Sequence, residues 1–352
     1  MSKVSIGLPC FNEAPFIEAT LRSVLSQSED DFEFIICDNA STDGTLEIIQ
    51  SVAGSDPRVI IHANPTNIGG PANFARSWEL ATCPYFMWMG AHDLIEKDYV
   101  KKLRMVLDSD PQCSLAYSDS ILIAKDGSEI PGELAETGVA ASDDSVVHRF
   151  KKLVWELHRC DLFHGLTRRT YVNPLHLTAG RAPDMVILAD FVLRGKFRRV
   201  PEIMFRRRHN RDPEDIEAWQ KRLTEQGYVS ASQTEIDSWT GTRDAHLAIL
   251  DRADITPNQR QEMRMAVCQA YLEKHSVPWD ASTEAATAWE RFLLRISSES
   301  RREEIRQTIR AKAAYKARFD NASARARIQK ELINLLKENH RLRRELAKAR
   351  KE

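Results

Sequence analysis

Residues 85–97 read YFMWMGAHDLIEK. An apolar run passes through Gly90 and Ala91 and ends on an imidazole, His92, beside a carboxylate, Asp93. Two polar clusters follow apolar runs earlier in the chain, PCFNE at 9–13 and DNAS at 38–41. In an open parallel sheet, ligands lie at the carboxyl ends of the strands, so the three clusters are expected to converge on one crevice. Plainer readings exist for each. Asp93 fits a helix N-cap ahead of LIEKDYV, NASTDGT fits a capped helix entry, and His92 fits a polar rim.

The elements that must position these groups follow from hydrophobic period. VSIGL (4–8), FEFIIC (32–37), VIIHA (59–63) and YFMWMG (85–90) are short apolar runs that predict buried strands. Between them, Ile17, Leu21, Val24 and Leu25, then Leu46, Ile49 and Ala53, then Phe74, Ala75 and Trp78 recur at helical spacing. Strand and helix in alternation predict an α/β fold with a mostly parallel sheet covered by helices. Further on, SLAYSDSILIAKDGSEI predicts a strand and hairpin turning at Asp126-Gly127, and 129–144 a loop. SVVHRFKKLVWELHR predicts a helix, as does APDMVILADFVLRG, with Pro183 at its start and Gly195 at its end. KFRRVPEIMFRRRHN predicts a closing strand or loop, and the sequence after Asp212 is almost wholly helical.

The 352 residues allow one large domain with an appendage, or two domains. From Arg301 onward there are 17 Lys and Arg against 7 Asp and Glu, while the preceding residues carry 33 against 44. An acidic body thus carries a basic tail, which predicts peripheral contact with an anionic membrane face or polymer, or else a solvated helix face. Six scattered cysteines without a CxxC pair fit a reducing cytosol. The start of the chain runs straight into a strand, and no apolar run has the length of a membrane helix, so a cytoplasmic location is expected. Ile328, Leu332, Leu335, Asn339, Leu342 and Leu346 alternate by four and three, the spacing of a two-stranded coiled coil. Segment 328–349 is therefore expected to join a homodimer, or to fold back on its own helical region.

No GxGxxG follows the first strand, and no GxxxxGK followed by Ser or Thr occurs, which argues against a dinucleotide or P-loop site. The order of motifs resembles the family-two inverting glycosyltransferases of GT-A fold. VSIGLPCFNEAPFIEATLRSVLSQSEDDFEFIICDNASTDGT, NIGGPANFARSWELATCPYFMWMGAHDLIEKDYV, FHGLTRR and APDMVILADFVLRGKFRRVPEIMFRRRH carry the resemblance, over about residues 3–210. It implies a GT-A domain at 1–212, beyond which the sequence pattern predicts a helical region at 213–298 and a long basic helix at 299–352. It also implies a nucleotide-sugar donor and a glycan or lipid-linked acceptor. A setting in surface polysaccharide or glycoconjugate synthesis follows, with no nucleic-acid partner.

By the same resemblance, Pro9, Phe11, Asn12, Glu13, Asp38, Asn39, Asn67, Gly69 and His92 line the nucleotide-sugar site. Asp93 matches the last acid of the family's metal motif, and His209 a closing histidine at the metal or diphosphate. A hard cation wants oxygen ligands, so Mg2+ or Mn2+ is implied, with the imidazole of His92 tilting toward Mn2+. Arg207, between Arg206 and Arg208, is placed to clamp phosphate. His164 and Gly165 fall on the acceptor side. Asp184 matches the general base, with Asp190 as second choice; the plainer reading of Asp184 is a charge at a helix N-terminus. The rival reading of the chain is a relative that keeps the fold as a binding or scaffolding module.

Overall fold

The computed structural model describes residues 3–130, 139, 141–157, 160–178, 182–209, 221, 224–227 and 235–275. The expected coiled-coil segment 328–349 and the basic segment 299–352 lie outside them. The chain divides into two compact units, Met1–Ile249 and Leu250–Glu352.

Strands β1 (Val4–Cys10), β2 (Phe32–Asp38), β3 (Val59–Ala63) and β4 (Tyr85–Trp88) alternate with helices α1 (Ile17–Leu25), α2 (Thr45–Ala53) and α3 (Gly70–Glu79). Two short segments follow β4: strand β5 (Leu94–Ile95) and helix α4 (Tyr99–Ser109). Next come β6 (Cys113–Ile123), α5 (Val146–Glu156), β7 (Leu166–Arg168), α6 (Pro183–Arg194) and β8 (Lys196–Arg208). Helices α7 (Glu235–Arg252) and α8 (Pro257–His275) complete the described elements.

The strands form one eight-stranded sheet in the order β3-β2-β1-β4-β7-β6-β8-β5. β3, β2, β1 and β4 are parallel, with Cys10 level with Asp38 and Gly7 level with Trp88. The loops after all four strands therefore leave the same edge. The other half departs from the mostly parallel expectation: β7 pairs antiparallel with both β4 and β6, and β5 antiparallel with β8. The sheet is mixed because β7 enters between β4 and β6 against their direction. Every residue of β1 is buried, and so is the face Ile17, Leu21, Val24 of α1. These join Phe34, Ile36, Met87, Leu103 and Phe205 in the main core.

α7 carries a buried histidine. His246 is 2% exposed, and its Nδ1 lies 2.9 Å from the Thr242 carbonyl, which can only accept. Burial pulls its pKa down to about 4. The unfolded chain titrates near pH 6.5, so between these values it binds a proton that the folded state refuses. Stability must therefore fall as pH drops from about 6.5 to 4, by on the order of 3 kcal/mol, and level off below. Urea unfolding at several pH values measures this, and His246→Gln is expected to flatten that part of the profile. An unchanged slope in the variant assigns the acid sensitivity elsewhere. Within the second unit, Arg260 closes the end of α7 through the carbonyls of Leu250 and Ala253, at 2.8 and 3.1 Å.

Candidate active site at the strand ends

The loops after β1 and β2 are laced together. Asn12 N–H donates to Ser41 Oγ, Thr42 N–H to Asn12 Oδ1, Glu13 N–H to Thr45 Oγ1 and Ala14 N–H to Asp43 Oδ2. Asn12 (φ 55°) and Ala40 (φ 61°) both take the left-handed conformation that side chains disfavour. Two such residues at adjacent strand exits mark backbone held in place by its surroundings. Pro9 is buried in β1, whereas Phe11 is 39% exposed at its exit. Asp38 is buried, and its Oδ2 accepts from Ser41 N–H at 3.0 Å.

Asn39 belongs to a network of amides. Its Nδ2 donates to Asn67 Oδ1 at 2.8 Å, and its Oδ1 accepts from Asn64 at 3.1 Å and from Ile68 N–H at 2.9 Å. Asn67 in turn accepts from Gly69 N–H, and Asn64 donates to Asn73 Oδ1 at 2.9 Å. Asn39 and Asn67 thus hold the turn into α3, and in this state Asn39 turns its amide inward. Gly70 N–H donates to Gln226 O at 2.7 Å, so residues 226–227 cover this turn. Asn64→Ala removes the donor to two buried amide oxygens. It is expected to lower unfolding free energy by about 2–3 kcal/mol, read from denaturant titration. A loss below about 0.5 kcal/mol means that the network does not hold the turn.

The loop after β4 answers for the apolar run that ends on His92 and Asp93. Asp93 is not a helix cap, because β5 follows it and α4 begins only at Tyr99. Its carboxylate is 2% exposed. Oδ1 accepts from Arg208 N–H at 2.8 Å, and Thr20 Oγ1 donates to the carbonyls of Asp93 and Ala91 at 2.9 and 3.2 Å. A Cβ on Gly90 would stand 2.3 Å from Asp93 Oδ2, so only glycine leaves room for this carboxylate. His92 Nδ1 lies 3.1 Å from Glu13 Oε1, tying the β4 loop to the β1 loop.

His164, expected on the acceptor side, stands beside the loop that carries Asp93. Its Nδ1 lies 3.0 Å from Trp88 O and its Nε2 3.9 Å from Asp93 Oδ2. The ring stacks on Phe205, with centroids 4.9 Å apart, and burial lowers its pKa. Gly165 serves packing: a Cβ there would meet Ala116 O at 2.6 Å.

The three consecutive arginines that end β8, Arg206, Arg207 and Arg208, bind within the protein. Arg206 pairs with Glu96 and Glu129, and the Arg208 guanidinium reaches the carbonyls of His92, Ala124 and Lys125. Arg207, expected at phosphate, pairs with the buried Asp161, which also takes Ser120 Oγ at 2.5 Å. Burial works against its charge, yet Asp161 holds the Arg207 pKa above its ordinary value. His209 is exposed, with its N–H on Ile123 O at 2.7 Å.

Asp184 stands in the first turn of α6 and accepts from Met185 N–H at 3.0 Å. It faces Cys160, whose thiol is pushed up by burial and then by this carboxylate. Asp190 suits a base poorly. Burial favours its acid form, but His176 at 3.2 Å and Arg194 at 3.1 Å hold its pKa below the usual range. Among the described residues, no three His, Cys, Asp or Glu side chains gather as a cage for a metal. What the site offers is one buried carboxylate, Asp93, which fits a cation that takes its other oxygens from a phosphate ligand and water.

Residues 5–128 match the family described as glycosyl transferase family 2. The match covers the part of the chain that runs from β1 past the end of β6. The relatives of this chain include a putative teichuronic acid biosynthesis glycosyltransferase, TuaG, of Bacillus subtilis, 31% identical over 127 residues. That match covers 36% of this chain and 50% of the relative. The chondroitin synthase of Pasteurella multocida is 34% identical over 128 residues, 36% of this chain and 13% of its own. Abequosyltransferase RfbV of Salmonella typhimurium is 34% identical over 109 residues, 30% of this chain and 33% of its own. The matches thus span half of these relatives or less. In fold, the chain is similar to S. aureus TarS 1-349, with a TM-score of 0.58 at 13% identity over 83% of this chain and 79% of that one. The α/β sheet with its flanking helices is the GT-A arrangement. Among the described residues, no helix is long and apolar enough to cross a membrane.

Proposed function

We propose that this protein is an inverting glycosyltransferase of family 2. It moves a sugar from a nucleoside diphosphate donor to an acceptor hydroxyl during assembly of a surface polysaccharide or glycoconjugate. The observation that carries the reading is the meeting of Asp93, Glu13–His92 and the laced β1 and β2 loops at one sheet edge. The names of the relatives, teichuronic acid biosynthesis and abequosyl transfer among them, support the substrate class.

The donor nucleotide lies over the β1 and β2 exits, with the exposed Phe11 and the Asp38 loop at its base and ribose. The diphosphate faces Asp93. Asp93 would hold a divalent cation, Mn2+ or Mg2+, which would supply charge stabilisation to the departing diphosphate. Asp184 takes the proton of the acceptor hydroxyl on the face opposite the leaving group, which inverts the anomeric centre.

The test is nucleotide release from a panel of UDP-, GDP- and dTDP-sugars with Mn2+ or Mg2+. Release above background from at least one donor is expected. If calorimetry finds no sugar nucleotide bound with either metal, the reading fails. Binding without turnover across many acceptors turns it toward a binding module.

A further inference from the structure

We propose that His164 is a nitrogen ligand to the divalent cation at Asp93, and that the site therefore prefers Mn2+ to Mg2+. The inference rests on the donor reading above, because the diphosphate completes the coordination.

Three observations carry it. First, the ring presents a lone pair. Trp88 O lies 3.0 Å from Nδ1, and a carbonyl can only accept, so the hydrogen sits on Nδ1 and Nε2 is the open acceptor. A second-shell carbonyl on the far nitrogen is the usual support of a metal-bound imidazole. Second, Nε2 lies 3.9 Å from another acceptor, Asp93 Oδ2. That gap is too long for a hydrogen bond. Two ligand bonds of about 2.1 Å to one ion let their donor atoms stand up to about 4.2 Å apart, so a single cation can bridge them. Third, both groups are held before any ligand arrives. His164 stacks on Phe205 and meets Phe163 edge-on at 5.6 Å, and Tyr99 Oη donates to the His164 carbonyl at 3.0 Å. Asp93 Oδ1 is fixed by Arg208 N–H, which leaves Oδ2 for the ion. The missing Cβ of Gly90 keeps the space beside Oδ2 and His164 Cε1 open.

The other histidines nearby are placed differently. His92 directs Nδ1 at Glu13, and His209 is exposed past the end of β8. Arg207, the neighbouring cation, has Asp161 against it. An imidazole in the ligand set suits Mn2+, whereas Mg2+ is best served by oxygen alone.

Pulsed electron paramagnetic resonance of the full chain with Mn2+ and UDP is the test. Nitrogen-14 coupling from a directly bound imidazole is expected in the wild type, retained in the His92→Gln/His209→Gln double variant and lost in His164→Gln. Mn2+ affinity is expected to fall about tenfold or more in His164→Gln, with Mg2+ affinity changed less. Bound Mn2+ without nitrogen coupling overturns the assignment, as does coupling lost in the double variant or kept in His164→Gln. No Mn2+ binding beside UDP also overturns it. Donor turnover in a chelator, measured separately, then shows whether the glycosyltransferase reading stands without the metal.

Discussion

Asp93→Asn is expected to give a folded protein whose kcat/KM falls by about 10²–10³ at saturating Mn2+. Asparagine keeps the oxygen that accepts Arg208 N–H at 2.8 Å, so the β4 loop stays tied to β8. What disappears is the anionic oxygen toward the diphosphate. Thermal melting should move by only a few degrees, because the substitution is close to isosteric and one hydrogen bond survives. Melting and turnover measured on the same sample decide the matter. A large drop in melting temperature with turnover retained would make Asp93 a structural residue and remove it from the chemistry.

The second large effect is expected at Asp184. Asp184→Asn should lower kcat by about 10²–10⁴, the range that a positioned general base supplies. The dissociation constant for the donor should stay the same, because the proton to be taken belongs to the acceptor. The amide can still accept from Met185 N–H, now 3.0 Å away, so the first turn of α6 survives. Loss of a carboxylate at a helix N-terminus costs about 0.3–1 kcal/mol of stability, too little to unfold the site. Steady-state kinetics with donor and acceptor varied independently reads the split. A fall in kcat below tenfold, or a loss confined to donor KM, transfers the base to another residue.

The parallel half of the sheet was legible in the sequence because each element there is long enough to show its period. VSIGL and FEFIIC lie within β1 and β2, and the helical triplets lie within α1 and α2. β5 and β7 were not legible. Leu94–Ile95 and Leu166–Arg168 are too short to show any period, and strand direction is set by pairing that a linear pattern does not carry. The candidate site divides the same way. Asp93 follows an apolar run, and Asp184 follows Pro183, so both are visible as strand and helix ends. The facing of His164 and Asp93 depends on β7 docking beside β4, so FHGLTRR gave no local sign of it. The arginine run looked like an anion clamp because its partners Asp161, Glu96 and Glu129 are distant in sequence.

β4 is the strand at which the sheet changes direction, and its trailing loop is touched from both sides. Glu13 reaches His92 from the parallel half, while His164 and Arg208 reach Trp88 and Asp93 from the mixed half. A shift of that loop toward one substrate is therefore a shift for the other. Under the proposed function, whatever factor the donor imposes on acceptor affinity through this loop, the acceptor must return to the donor. His92 and Asp93, neighbours in one loop, are thus tied to opposite halves of the sheet.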